Sequence, residues 1–183
     1  TAAHEAIARA IADLQSAMHD RYTEREKARG ARNEREVALV RGREVLRAAA
    51  DYLRNDARIA APKIGTMGWC FGGGWSLDCA LNWEFLDAAV IYYGRLVDDP
   101  ARVGKIQAAV CGVFGNKDQG IPPASVDAFE KALKDAGVKH EIWRYDADHA
   151  FANPSGARYD AANASAAWEK VRAFLARELK AEI

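Results

Sequence analysis

The sequence predicts an α/β fold: a mostly parallel sheet flanked by helices, preceded by a helical N-terminal third. Short continuous apolar runs, such as residues 88–93 and 107–114, are typical of strands buried on both faces. These runs alternate with segments whose apolar residues recur at helical spacing. Residues 1–60 show the helical spacing alone, so no strand is predicted there.

Length and composition predict one domain over residues 1–183, with a helical, charged segment at 1–60 and the chemistry in 61–183. The chain has 183 residues, half of them apolar, and equal numbers of acidic and basic side chains. A formal net charge of zero gives no general attraction to nucleic acid or to a membrane surface. Three cysteines without metal-like spacing fit a reducing compartment, so we expect a cytoplasmic protein.

The N-terminal third predicts two helices, at 1–20 and at 33–55, joined by a charged segment. Residues 21–36 alternate Arg and Lys with Glu, which is typical of a solvated helix or linker. A basic interaction arm is the alternative. The interspersed glutamates, with Tyr22 as the one aromatic side chain of this segment, argue against nucleic-acid binding there.

The remaining elements follow in strand–helix alternation. A short buried strand is predicted at 63–68, and Asn55-Asp56 and Ala61-Pro62 punctuate the join before it. The other predicted strands are 88–93, 107–114 and 139–145, and the last has polar neighbours typical of an edge. The predicted helices are 75–83, one from Pro122-Pro123 to Gly137, and 159–179.

A glycine-rich turn between the first strand and its helix carries Cys70. Gly68, Cys70 and Gly72 form the pattern G-x-C-x-G, a nucleophile elbow with cysteine in place of serine. Such a turn strains its central residue and crowds the backbone two residues before and after it, where glycine fits. The thiol would lie above a helix N-terminus, which favours negative charge. The alternative is a glycine-rich turn with a buried cysteine.

Two further polar residues follow strands of the predicted sheet. Asp118 comes after the 107–114 strand and His149 after the 139–145 strand. Functional loops of parallel sheets lie at strand carboxyl ends, so Cys70, Asp118 and His149 are predicted to meet there as nucleophile, acid and base. The alternatives are a turn-forming Asp, a surface His and a metal site with Asp146 and Asp148, for which no second ligand cluster is present.

At these motifs the chain resembles the dienelactone hydrolase family of α/β hydrolases. The likeness spans about residues 45–179 and implies a cysteine-dependent esterase or lactonase that needs no cofactor or metal. The implied substrate is a small ester or lactone, and such proteins are usually cytoplasmic and often monomeric. The motifs are GWCFGG from Gly68, VIYYG from Val90, FGNKDQGIP from Phe114 and YDADHAF from Tyr145.

The resemblance also implies roles for individual residues. Cys70 is the nucleophile, Asp118 the acid partner and His149 the base. The backbone N–H of Phe71 donates to the oxyanion. Substrate contacts are expected from Trp69, Tyr92 and Phe151.

Two departures from the family pattern affect these expectations. Asn153 stands where the dienelactone-cleaving members have an arginine that binds the substrate carboxylate, so a neutral ester or lactone is as good a candidate. The strands that precede the elbow strand in the family have no counterpart in residues 1–60. We therefore expect a strand edge at 63–67, which includes Lys63 and Met67, that is covered by residues 1–60, by another copy of the chain in a homo-oligomer, or by a further segment.

Two functions of different classes remain open at this point. The first is a hydrolase that forms a thioester on Cys70. The second is a truncated or remodelled hydrolase fragment that serves as an assembly or interaction module. A thiol redox protein is disfavoured, because no second cysteine lies two or three residues from Cys70.

Overall fold

The computed structural model describes residues 2–55 and 63–180. The predicted punctuation at 56–62 lies outside the described residues. The chain divides into two compact units, Thr1–Asp51 and Tyr52–Ile183. The single domain expected over 1–183 stays a prediction. Within the described ranges, no helix combines the length and apolarity that crossing a membrane would require.

The N-terminal region forms one helix, α1 (Ala2–Asn55), so the helices predicted at 1–20 and 33–55 are parts of a single helix, and the charged segment between them is helix and not linker. Residues 21–36 are mostly Arg, Glu, Lys and Ala, which are strong helix formers, and proline is absent there. Charge therefore does not interrupt the helix. Lys27, Arg29 and Glu34 are exposed, as predicted for a solvated helix.

The second unit contains a four-stranded parallel sheet in the order β1-β2-β3-β4. Helix α2 packs against β1 and β2, α4 against β4, and α5 against β2 and β3. The predicted α/β class is confirmed. The strands are β1 (Gly65–Trp69), β2 (Ala88–Tyr92), β3 (Ala109–Gly115) and β4 (His140–Tyr145), and the helices are α2 (Phe71–Asn82), α3 (Pro100–Val103), α4 (Pro123–Asp135) and α5 (Ala161–Glu178).

Strands β2 and β3 lie at the centre of this sheet, and every residue in both is buried. Side chains alternate between the faces of a strand, so complete burial requires cover on both faces. On one face, Val90 and Cys111 pack with Val171 and Phe174 of α5. The continuous apolar runs in the sequence reflect this two-sided burial.

Strand β1 is an edge of the sheet, because among the described residues it pairs with β2 alone. The prediction of a buried strand here is wrong: Gly68 is its only buried residue, and Met67 and Trp69 are exposed. A strand with one neighbour leaves the backbone N–H and C=O groups on its other side unpaired within the sheet. Another chain can pair with these groups. A homo-oligomer formed through this edge stays a prediction.

Helices α2 and α3 differ most from what the sequence suggests. Helix α2 begins at Phe71, four residues before the predicted start. Three glycines form its first turn, and glycine is a poor helix former, so the sequence gives no signal for helix there. Helix α3 was not predicted. Its signal is Asp99-Pro100: the Asp99 carboxylate accepts a hydrogen bond from the N–H of Ala101 at 2.9 Å, and Pro100 occupies the first turn.

Helix α2 and strand β2 approach so closely that two glycines are required at the contact. A Cβ atom on Gly94 would lie 2.4 Å from the backbone of Gly73 and Gly74. A Cβ atom on Gly73 would lie 2.6 Å from the carbonyl oxygen of Tyr92. These contacts hold the start of α2, and with it the elbow, against the end of β2.

We predict that Gly94→Ala destabilises the protein by about 1–3 kcal/mol, the usual cost of overpacking. The matched control is Gly72→Ala, because a Cβ atom there meets nothing within 4 Å. Gly72→Ala should be neutral or stabilising by less than about 1 kcal/mol. Urea unfolding of both variants measures the difference, and equal stabilities would contradict the close approach.

Candidate active site

The parallel arrangement brings three polar side chains to one edge of the sheet. Cys70 directly follows β1, Asp118 lies in the loop after β3, and His149 lies in the loop after β4. The His149 Nε2 atom is 3.2 Å from the Cys70 Sγ atom. The His149 Nδ1 atom is 2.6 Å from the Asp118 Oδ2 atom. The structure thus joins the three predicted residues in a continuous chain of contacts.

Cys70 has the strained backbone of an elbow, with φ 53° and ψ −114°. A positive φ is costly for any residue with a Cβ atom. Two hydrogen bonds hold it: its N–H donates to the Tyr92 carbonyl at 2.9 Å, and its own carbonyl accepts from Gly74 at 3.1 Å. Phe71 is the first residue of α2, so its N–H has no acceptor within the helix.

The two elbow glycines have different reasons to be glycine. A Cβ atom on Gly68 would lie 2.1 Å from the carbonyl oxygen of Gly72, so Gly68 must be small, as predicted. The same expectation for Gly72 is wrong, because a Cβ atom at that position would meet nothing within 4 Å. The crowding acts on the backbone of residue 72 and not on its side-chain position.

Asp118 is the most enclosed member of the group, with no exposed side-chain surface. Its Oδ1 atom accepts hydrogen bonds from the N–H groups of Gly120 and Ile121, at 2.8 and 2.9 Å. Its Oδ2 atom is left for His149. The loop Asn116-Lys117-Asp118-Gln119-Gly120 is therefore a turn that also satisfies a buried carboxylate.

The loop after β4 has to cross the sheet to reach Cys70. Strands β1 and β4 are the outer strands of the four, roughly 14 Å apart at the usual strand spacing. The loop first contacts the residues that follow β3. The Lys117 backbone N–H donates to the Ala147 carbonyl at 3.0 Å, and the Lys117 ammonium lies 3.0 Å from the Asp146 carboxylate. It then passes back over the inner strands.

His149 is held on this returning loop at several points. Its N–H donates to the Asp148 carboxylate at 2.7 Å. Ala150, the next residue, has φ 62°, a second strained position. The imidazole lies against the Tyr93 ring, with 5.1 Å between ring centroids. About a quarter of the His149 side chain stays exposed.

The three expected substrate-contact residues differ in exposure. Trp69 is 43% exposed and stacks on Tyr92, with 5.3 Å between ring centroids. Tyr92 and Phe151 are buried, so they lie beneath the site and do not present surface to a ligand in this structure. Phe71, expected to act through its backbone, has a side chain that is 77% exposed.

Asn153 and Arg158 have local roles in the returning loop. The Asn153 side chain accepts a hydrogen bond from the N–H of Ser155 at 3.1 Å. The Arg158 guanidinium lies 3.6 Å from the Asp148 carboxylate. Asn153 therefore supplies no positive charge where the resemblance would have placed an arginine, and the charge of Arg158 is matched by Asp148.

Two residues of this site have no clear signal in the sequence. Tyr93 and Ala150 both have positive φ, at 35° and 62°, although neither is glycine, asparagine or aspartate. Tyr93 falls within an apolar run that predicts only a strand, and Ala150 follows the predicted histidine without any turn-forming residue.

A comparison with sequence families extends the likeness along nearly the whole chain. The sequence model of the dienelactone hydrolase family matches residues 6–179. A Synechocystis sp. protein named "Putative carboxymethylenebutenolidase" is 32% identical over 145 residues, which cover 74% of this chain and 58% of the relative. One of the same name from Saccharolobus solfataricus is 34% identical, over 64% of this chain and 46% of the relative.

Solved structures of this family share the fold. The chain resembles a Klebsiella pneumoniae structure named "Putative Dienelactone Hydrolase" with a TM-score of 0.57 and 32% identity, over 61% of this chain and 50% of that one. It resembles the dienelactone hydrolase-like phosphotriesterase P91 with a TM-score of 0.66 and 24% identity, over 73% and 60%. The chain spans about half the length of the curated relatives it matches. By its sequence match and its fold, the chain belongs to the dienelactone hydrolase family of α/β hydrolases.

Proposed function

We propose that this protein hydrolyses a small carboxylic ester or lactone, with Cys70 as nucleophile, His149 as general base and Asp118 as the residue that orients the histidine. The observation that carries the proposal is the unbroken contact chain from the Cys70 sulphur through the imidazole to the buried Asp118 carboxylate. A nucleophile, a base and an orienting group at hydrogen-bond distance are the requirements for covalent catalysis of acyl transfer.

The reaction begins with proton transfer from the Cys70 thiol to His149 Nε2. The thiolate attacks the substrate carbonyl carbon and forms a tetrahedral intermediate. This collapses to a thioester on Cys70, and the imidazolium returns its proton to the departing alkoxide. Water, deprotonated by His149, then attacks the thioester. The carboxylic acid leaves, and the proton on His149 returns to the Cys70 sulphur.

The position of Cys70 at a helix start supports this chemistry in two ways. The Phe71 N–H, free of an intrahelical acceptor, is placed to donate to the oxyanion of the tetrahedral intermediate. The partial positive charge at the start of α2 also attracts the negative charge that develops during the attack. An ester or lactone fits better than an amide. In the tetrahedral intermediate the Cys70 thiolate competes with the second group to leave, and an alkoxide competes with it better than an amine does.

The charges near the site favour a neutral acyl group over a carboxylate-bearing one. Asn153 is uncharged, and Arg158 already faces the Asp148 carboxylate. The exposed aromatic rings of Trp69 and Phe71 flank Cys70 in the sequence and give that side of the site apolar surface. The comparisons do not favour the alternative of a non-catalytic assembly module.

Replacing the nucleophile should abolish turnover. Cys70→Ala is expected to lower kcat/KM for 4-nitrophenyl acetate by at least about 10³-fold, because the residual rate of triad enzymes comes from binding and oxyanion donors alone. Cys79→Ala, which removes a buried thiol from α2, is the control and should keep most of the activity. Undiminished turnover in Cys70→Ala would contradict the assignment of Cys70 as the nucleophile.

The three cysteines should differ sharply in reactivity. Cys70 is exposed and contacts His149, whereas Cys79 and Cys111 are buried. Burial raises the pKa of Cys111 to about 12, helped by the nearby Glu141, so this thiol stays protonated at neutral pH. Iodoacetamide should therefore modify Cys70 at least about 10-fold faster than the other two, as measured by peptide mass spectrometry. Equal, slow modification of all three in the folded protein would contradict a poised nucleophile; in urea the rates should converge.

The orienting role of Asp118 can be tested without a change in the size of its side chain. Asp118→Asn keeps the shape but can direct an N–H group at His149 Nδ1, which puts the ring proton on Nε2 and blocks proton acceptance from Cys70. We expect a loss of kcat of about 10³–10⁴-fold. Asp146→Asn, an exposed carboxylate in the neighbouring loop, is the control and should change kcat less than about 2-fold. Similar effects of the two substitutions would contradict the role of Asp118.

A further inference from the structure

Backbone strain in the described residues is concentrated at one place. Within 2–55 and 63–180, three non-glycine residues have positive φ: Cys70, Tyr93 and Ala150. Cys70 is the proposed nucleophile, and Ala150 follows the proposed base. Tyr93 has no assigned role, yet it carries the same kind of strain. Strained positions persist where the surrounding structure forces them, and they cluster at functional sites.

The Tyr93 side chain lies beneath His149. Its ring centroid is 5.1 Å from that of the imidazole and 5.7 Å from that of Phe151. Tyr93 is 1% exposed, so its ring is enclosed between the end of β2 and the returning loop. Its backbone is fixed by a hydrogen bond from its N–H to the Val113 carbonyl at 2.8 Å. Gly94, the next residue, is in close contact with the start of α2.

The hydroxyl group does not explain why a tyrosine is held there. Among the described residues no hydrogen bond to it is formed, although the backbone of Ala152 lies near enough to lower its pKa slightly. Burial, with the nearby Cys70 sulphur, raises the pKa of Tyr93 to about 12, so the side chain is neutral at working pH. The part of Tyr93 that makes defined contacts is the ring.

His149 needs such a contact. The hydrogen bond from Nδ1 to Asp118 fixes one atom of the imidazole but leaves rotation of the ring about that bond. Rotation would move Nε2 away from the Cys70 sulphur, 3.2 Å distant. A flat side chain packed against the imidazole removes this freedom. Misplacement of a catalytic group by about 1 Å can cost 10²-fold in rate.

We propose that Tyr93 is a positioning residue, whose ring, forced into place by a strained backbone, fixes the plane of the His149 imidazole against Cys70. The proposal rests on the proposed function, in which His149 accepts the Cys70 proton. The charged groups that face the Cys70–His149 pair are Asp118 from the loop after β3 and Asp148 with Arg158 on the returning loop.

The test compares substitutions that keep or remove the ring. Tyr93→Phe removes only the hydroxyl, and Tyr93→Met keeps an apolar side chain of similar reach without a ring. The matched control is Tyr145→Met, because Tyr145 packs on the same Phe151 ring, at 5.4 Å, at the end of β4. Thermal melts followed by circular dichroism check that each variant is folded.

Two readouts separate positioning from a general loss of stability. Tyr93→Met should lower kcat for 4-nitrophenyl acetate by about 10–100-fold with KM changed less than about 3-fold, and slow iodoacetamide modification of Cys70 at pH 7 at least about 5-fold. Tyr93→Phe and Tyr145→Met should stay within about 2-fold of the parent protein in both assays. The pH midpoint of Cys70 modification should rise in Tyr93→Met alone.

Other results would overturn the proposal. The first is a Tyr93→Met variant that behaves like Tyr145→Met. The second is a Tyr93→Phe variant as impaired as Tyr93→Met, because that result would assign the effect to the hydroxyl. If Tyr93→Met does not fold, Tyr93→Phe decides: a shift of its pH midpoint by more than about 0.5 unit refutes a role of the ring alone. Because modification of Cys70 needs no ester turnover, this comparison stands even if Cys70→Ala proves active and the proposed function fails.

Discussion

The buried carboxylate of Asp118 is the group on which the geometry of the site depends. Its side chain has no exposed surface, and a buried carboxylate needs hydrogen-bond partners to offset its loss of solvation. Two backbone N–H groups of its own loop take one oxygen, and His149 takes the other. The loop after β3 therefore determines where the loop after β4 must bring its histidine, and so where that histidine can meet Cys70.

Around this carboxylate the chain is strained at Cys70, Tyr93 and Ala150, each of which costs roughly 1–3 kcal/mol. The surrounding contacts offset that cost. The close approach of Gly73 and Gly94, whose backbones leave no room for a Cβ atom, fixes the start of α2 against the end of β2. The same packing that makes the site rigid also makes the glycines irreplaceable, which links stability of the sheet edge to placement of the thiol.

Much of this arrangement could be predicted from the sequence, because it follows from short-range rules. Apolar runs identify β2 and β3, and parallel strands end at one edge, so Cys70, Asp118 and His149 had to approach one another. The uninterrupted course of α1 could not be predicted from hydrophobic spacing, since its middle has charge but no apolar stripe. The role of Tyr93 was also hidden, because a positive φ at a tyrosine is imposed by tertiary packing and has no local signal.

The distribution of groups over the sheet has a mechanical consequence. Within residues 63–180, the two inner strands carry the enclosed groups, Tyr93 and Asp118, while the two outer strands carry the reactive pair, Cys70 and His149. Adjacent strands are rotated by about 20–25°, so three steps separate the directions of β1 and β4 by roughly 60–75°. The distance from the Cys70 sulphur to the imidazole therefore depends on the twist at all three strand-to-strand steps. The Asp118–His149 contact depends only on the step from β3 to β4. A change of packing between β1 and β3 will therefore alter the distance between the Cys70 sulphur and the imidazole while it leaves the Asp118–His149 contact in place.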